Sequence, residues 1–91
     1  MLGKHLNIKI IGMVQGIGFR YASEQKAQEL GIVGFVRNEP DGSVYIEAEG
    51  EEEALNKFVA WCQSGPRGAQ IKEVKAVNAA IKNFRDFLID Y

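Results

Sequence analysis

Leu6, Ile8 and Ile10 alternate with Asn7 and Lys9, and the run passes straight into Gly12-Met13-Val14-Gln15-Gly16-Ile17-Gly18-Phe19-Arg20. Such alternation is the pattern of a half-buried strand. From Phe19 the period lengthens: Phe19, Ala22, Ala27 and Leu30 fall within one side of a helical wheel, interrupted by Lys26, and Gly31 stands where a helix C-cap belongs. Strand, glycine-rich loop and helix therefore follow one another with no linker. A loop of this kind suits an anion. Glycines let the backbone come close, the unpaired N–H groups at the helix start point at the ligand, and the helix dipole favours negative charge. Arg20 adds a permanently charged planar fork that fits two phosphate oxygens. Two other phosphate loops do not fit. Walker A needs a lysine and a magnesium-holding Ser/Thr, both absent here, and Gly12, Gly16 and Gly18 lack the dinucleotide spacing.

The rest of the chain completes a simple order. A second strand runs from about Ile32 to Asn38, turns at Pro40-Asp41-Gly42, and returns through Val44, Ile46 and Ala48. Proline followed by Asp-Gly supplies the angles of a tight connection, so this is a hairpin. Glu51 to Glu53 place negative charge in the first turn of a second helix, where the dipole welcomes it. Ala54, Leu55, Phe58, Val59, Trp61 and Cys62 make its apolar face, and Ser64-Gly65-Pro66 ends it, so Trp61 and Cys62 read as core. A fourth strand lies within Ala69 to Ala79, and Phe87, Ile89 and Tyr91 suggest a fifth. The expected fold is α+β, a ferredoxin-like βαββαβ sandwich: an antiparallel sheet of four or five strands with two helices on one face.

Length and composition narrow the function. The chain has 91 residues, enough for a single domain, 1–91, with a core of its own. A formal net charge of −1 argues against nucleic acid or an anionic membrane as partner. Glu47, Glu49, Glu51, Glu52 and Glu53 would repel both, and they read as a solvated strand face and a helix start. Cys62 is the only cysteine, which leaves no intrachain disulfide and no thiolate cluster. No apolar run approaches the ~20 residues that span a bilayer, and nothing resembles a signal peptide, so the expected compartment is the cytoplasm. His5, the only histidine, lies in the approach to the first strand and is read as having no catalytic role.

The run V-Q-G-I-G-F-R, then G-F-V-R-N at Gly34 to Asn38 and D-G-S-V at Asp41 to Val44, resembles the acylphosphatase family. Glu49-Gly50, Phe58 and Trp61, Gly65-Pro66 and the closing F-x-I-x-Y at Phe87 to Tyr91 extend the resemblance from about Leu6 to Tyr91. It implies metal-independent hydrolysis of the carboxyl-phosphate bond of acyl phosphates, by a monomer without a cofactor. Gln15, Gly16, Ile17, Gly18 and Phe19 would offer backbone N–H groups to the phosphate, Arg20 would bind it, and Asn38 would orient the attacking water. An amide suits that last task, because it donates and accepts hydrogen bonds without changing charge. The plainer alternative for Asn38 is closure of the hairpin turn. Arg37 should point to the other side of the strand and be structural or solvated. The chain departs from the family pattern at Glu39 (often threonine), Tyr45 (often glutamate) and Asp90 (often basic), which bears on efficiency and substrate preference.

Two other functions share the topology. An RNA-binding module needs exposed aromatics on its central strands, and here Tyr45 stands among glutamates with no basic surface. A small-molecule sensing module has no need of Arg20 and Asn38 at these spacings, although fold alone leaves it open. Turnover of acetyl phosphate separates the three.

Overall fold

The computed structural model describes residues 3–91. Its elements run β1 (Lys4–Met13), α1 (Phe19–Leu30), β2 (Val33–Asn38), β3 (Val44–Gly50), α2 (Glu52–Cys62), β4 (Gln70–Ala79) and β5 (Phe87–Asp90). The five strands form one sheet in the order β4-β1-β3-β2-β5. The order of elements and the α+β class are as the pattern predicts, with one correction. The sheet is mixed, because β5 pairs parallel with β2 whereas β1–β3, β1–β4 and β2–β3 are antiparallel. A tight hairpin forces antiparallel pairing. β5 is instead reached by a crossing from the opposite edge, so its direction is not dictated by a turn.

Alternation sorts the two faces. Ile8 and Ile10 of β1, Val36 of β2, and Val44, Ile46 and Ala48 of β3 form one buried cluster with Phe19 and Ala27 of α1 and Leu55, Phe58 and Cys62 of α2. In α1 the buried residues are Phe19, Ser23 and Ala27, so Ser23 takes the place the wheel gave to Ala22. The Ser23 hydroxyl is satisfied there by donating to the Phe19 carbonyl at 2.8 Å. Gly31 closes the helix in left-handed conformation, its N–H reaching the Ala27 and Gln28 carbonyls. Trp61 is half-buried against the rings of Phe19 and Phe58. Burial pushes the Cys62 thiol up to about 12, which makes it a small core hydrophobe. Gly34 permits a close approach between β2 and β3: at φ 146° an added Cβ would lie 1.8 Å from the Glu47 carbonyl oxygen.

The opposite face carries a second correction. Glu47 and Glu49 are not a solvated face; they are only 7% and 6% exposed, and His5 is 1% exposed between them. His5 Nδ1 lies 2.7 Å from Glu49, and its Nε2 lies 2.7 Å from the Asn7 side-chain oxygen and 3.2 Å from Glu47. The segment joining β4 to β5 closes over them. Lys82 pairs with Glu47 through its ammonium at 2.8 Å, and the backbone N–H groups of Lys82 and Phe84 donate to Glu49. The Phe84 ring packs on His5 and on Phe35. Polar residues at alternating positions became buried because enough donors converge on them.

Burial works against ionisation of both carboxyls. Donors outweigh it: Lys82 and Tyr45 for Glu47, and Lys82 N–H, His5 and Phe84 N–H for Glu49. Both pKa values therefore lie below the ordinary 4.5. A depressed folded value means that the stabilisation is present above the unfolded value and is lost as pH falls through the folded one. Thermal melts should be flat from neutral pH to about 5 and fall steeply below 4.5. Glu49→Ala should cost about 3 kcal/mol at neutral pH, by leaving His5 Nδ1 and two backbone donors without a partner, and should flatten the acid limb. An unchanged acid limb in that variant would refute the assignment.

Candidate functional site

The loop between β1 and α1 folds as its glycines dictate. Gly16 and Gly18 both adopt φ 80°, a conformation that residues with a Cβ seldom take, and the turn they make delivers Phe19 and Arg20 as the first residues of α1. Gly18 is the N-cap and has no side chain to offer. The first turn of α1 holds no acidic residue and receives no side-chain cap. The positive end of the helix is thus left to whatever fills the hollow beside it.

That hollow is a pocket of about 150 Å³, lined in part by Val14, Gly16, Gly18, Phe19 and Arg20. It is small beside ligand pockets of roughly 300–1,000 Å³, a size suited to one compact group rather than a whole metabolite. Asn38 enters from the end of β2. The lining is completed by Tyr21 of α1 and by Ile89 and Tyr91. Arg20 is the only charged side chain among the lining residues. It takes part in none of the ion pairs among the described residues. Its guanidinium lies over the Tyr91 ring, 5.0 Å from the centroid, a stacking that holds the fork without neutralising it.

Asn38 and the turn after it divide their labour. The turn is closed by others: Glu39 N–H donates to the Ser43 carbonyl at 2.9 Å, Gly42 N–H to the Glu39 carbonyl at 3.1 Å, and both the N–H and the hydroxyl of Ser43 to Asp41. The Ser43 hydroxyl first, then Lys9 and the Ser43 N–H, hold the Asp41 carboxyl well below the usual range. Among the described residues, none of these turn hydrogen bonds involves the Asn38 side chain. Its neighbour Arg37 faces the other side of the sheet, stacked 4.9 Å from the Tyr45 ring centroid and 3.3 Å from the Glu39 carboxylate. Glu39 is thereby engaged away from the pocket. Tyr45 donates to Glu47 at 2.8 Å, and burial with that contact raises its hydroxyl to about 12. Neither Glu39, Tyr45 nor Asp90 lines the pocket.

Gly16, Gly18, Phe19, Arg20 and Asn38 thus come together around one hollow. Ile17 does not line it; its side chain packs against the core. Gln15 does not line it either, because its carboxamide is turned to the hairpin, 2.8 Å from the Glu39 carbonyl and 2.9 Å from that of Ser43. Sequence reasoning missed Ile89 and Tyr91. Their period-2 spacing placed them on one face of a strand, yet only the parallel pairing of β5 with β2 brings that face to the pocket. The sheet face that an RNA-binding module would present is occupied by His5, Glu47 and Glu49 under Phe84. Among the described residues no helix is long and apolar enough to cross a membrane.

Comparison with known proteins finds likeness in both sequence and fold. The acylphosphatase family model matches residues 6–89. The acylphosphatase of Archaeoglobus fulgidus is 48% identical over 86 residues, which cover 94% of this chain and 97% of that protein. Among solved structures, an acylphosphatase from Bacillus subtilis superposes with a TM-score of 0.94 at 32% identity, covering 97% of this chain and 99% of that one. One from Coxiella burnetii also gives 0.94, at 28% identity and with 97% and 93% covered. Matched over most of its length in both sequence and shape, the chain belongs to the acylphosphatase family, hydrolases that act on acyl phosphates.

Proposed function

We propose that the protein hydrolyses acyl phosphates without a metal, as a cytoplasmic monomer, holding the phosphoryl group on the Gln15–Arg20 loop and orienting water with Asn38. The observation that carries this reading is the meeting of three features at one small hollow among the described residues: a helix N-terminus without a side-chain cap, an arginine outside every ion pair, and an amide outside the hydrogen bonds of the adjoining turn. Phosphoryl transfer asks the protein chiefly for position and charge stabilisation. The backbone N–H groups and the Arg20 fork face the equatorial oxygens, while the Asn38 amide holds water in line with the departing carboxylate. A carboxylate is a good leaving group, so no general acid is needed. Water's proton passes to the phosphoryl oxygens or to solvent. The pocket admits the phosphoryl end and leaves the acyl group at its mouth, beside Tyr21 and Tyr91.

The test is direct. Acetyl and benzoyl phosphate should be cleaved at the same rate with and without EDTA, and phosphate monoesters, whose alkoxide needs a proton, should be poor substrates. Among the described residues no group of three His, Cys, Asp or Glu side chains is arranged to hold a metal ion. Loss of turnover in EDTA, restored by a divalent ion, would overturn the metal-free reading.

A further inference from the structure

Gln15 sits within the phosphate loop, yet its side chain does not serve the pocket. The carboxamide nitrogen carries two hydrogens, and two carbonyl oxygens receive them: Glu39 at 2.8 Å and Ser43 at 2.9 Å. Both partners are acceptors, so only the NH2 end of the amide can face them, which settles its orientation. Each carbonyl already accepts one backbone hydrogen bond inside the turn, from Gly42 and Glu39 respectively, and has a second lone pair to give. The two acceptors flank the turn that begins one residue after Asn38. One side chain therefore ties the loop that would hold phosphate to the segment that would aim the water.

We infer that Gln15 is a positioning residue for hydrolysis, whose carboxamide sets the distance and angle between the phosphoryl group on the loop and Asn38. This rests on the reading of Asn38 proposed above. β1 and β2 are not neighbours in the sheet, since β3 lies between them. The loop after β1 and the end of β2 thus share no ladder bonds, and the Gln15 bridge joins them directly. In-line attack is steep in geometry: a misplacement of ~1 Å can cost ~10²-fold in rate. The backbone N–H of residue 15 is unaffected by a change of side chain, so phosphate binding and water placement should separate.

The experiment measures kcat, KM and competitive inhibition by inorganic phosphate for Gln15→Ala and Gln15→Glu, each alone and combined with Asn38→Ala. Thermal melts report the folded fraction. Gln15→Ala should lower kcat about tenfold, with phosphate inhibition within about twofold of wild type. Gln15→Glu keeps the shape but sets two oxygens against two carbonyls, and should fall further. In the Asn38→Ala background Gln15→Ala should cost almost nothing more, because the group it positions is gone. Wild-type kcat per folded molecule in Gln15→Ala would overturn the inference. So would an equal loss with and without Asn38. Wild-type kcat in Asn38→Ala alone would overturn the reading of Asn38 itself, visible before Gln15 is touched, and the positioning role would fall with it.

Discussion

Asn38→Ala should lose about 10²–10³ in kcat while binding inorganic phosphate nearly as well as wild type, because one preorganised polar contact to the transition state is commonly worth that much. The loop and Arg20 are left intact, and the hairpin is closed by Asp41, Ser43 and Gln15 rather than by the Asn38 amide. Stability should therefore change little, and the melting temperature serves as the internal control. Asn38→Asp is the sharper probe. It keeps the shape but brings a negative charge to the incoming phosphate, so binding should weaken together with turnover. Single-turnover kinetics beside phosphate titrations distinguish the two defects. Near-wild-type kcat in folded Asn38→Ala protein would remove the water-orienting role.

Arg20→Ala should produce the complementary defect, a loss of phosphate binding. A bidentate charged hydrogen bond is typically worth ~1.5–3 kcal/mol, so inhibition by inorganic phosphate should weaken by roughly 10- to 150-fold. The deficit in kcat/KM should be at least as large, since charge on the equatorial oxygens persists through the transition state. Arg20→Lys keeps the charge but loses the planar fork and its stacking on Tyr91, and should also be badly impaired. Unchanged phosphate affinity in Arg20→Ala would make the arginine a bystander.

Much of this arrangement can be read from local pattern. The period-2 run of Leu6, Ile8 and Ile10, the change of period at Phe19, and the Pro40-Asp41-Gly42 turn each reflect interactions within a few residues, and all three elements lie where the pattern predicts. The parallel direction of β5 is different, because it depends on a partner strand at the far edge of the sheet. The alternating glutamates of β3 are different again. A polar strand face looks the same in sequence whether water covers it or a connection bearing Lys82 and Phe84 does. At the site, Arg20 and Asn38 are marked by their motifs, whereas the Gln15 bridge is made to carbonyl oxygens, which carry no residue-type signal at all.

The place of β1 between β3 and β4 has a kinetic consequence. His5 and Glu49 face each other across 44 residues of chain, and β4 must come from farther still to pair with the other edge of β1. Only the β2–β3 hairpin can zip locally. The costly step in folding is closing those long loops, which places a chain of this topology below helical bundles of its size in folding rate. Asn38 belongs to the hairpin, while the phosphate loop hangs from β1, so the two halves of the pocket meet only when those long loops close. A phosphate ion held there binds the folded chain alone and should accordingly stabilise it against unfolding.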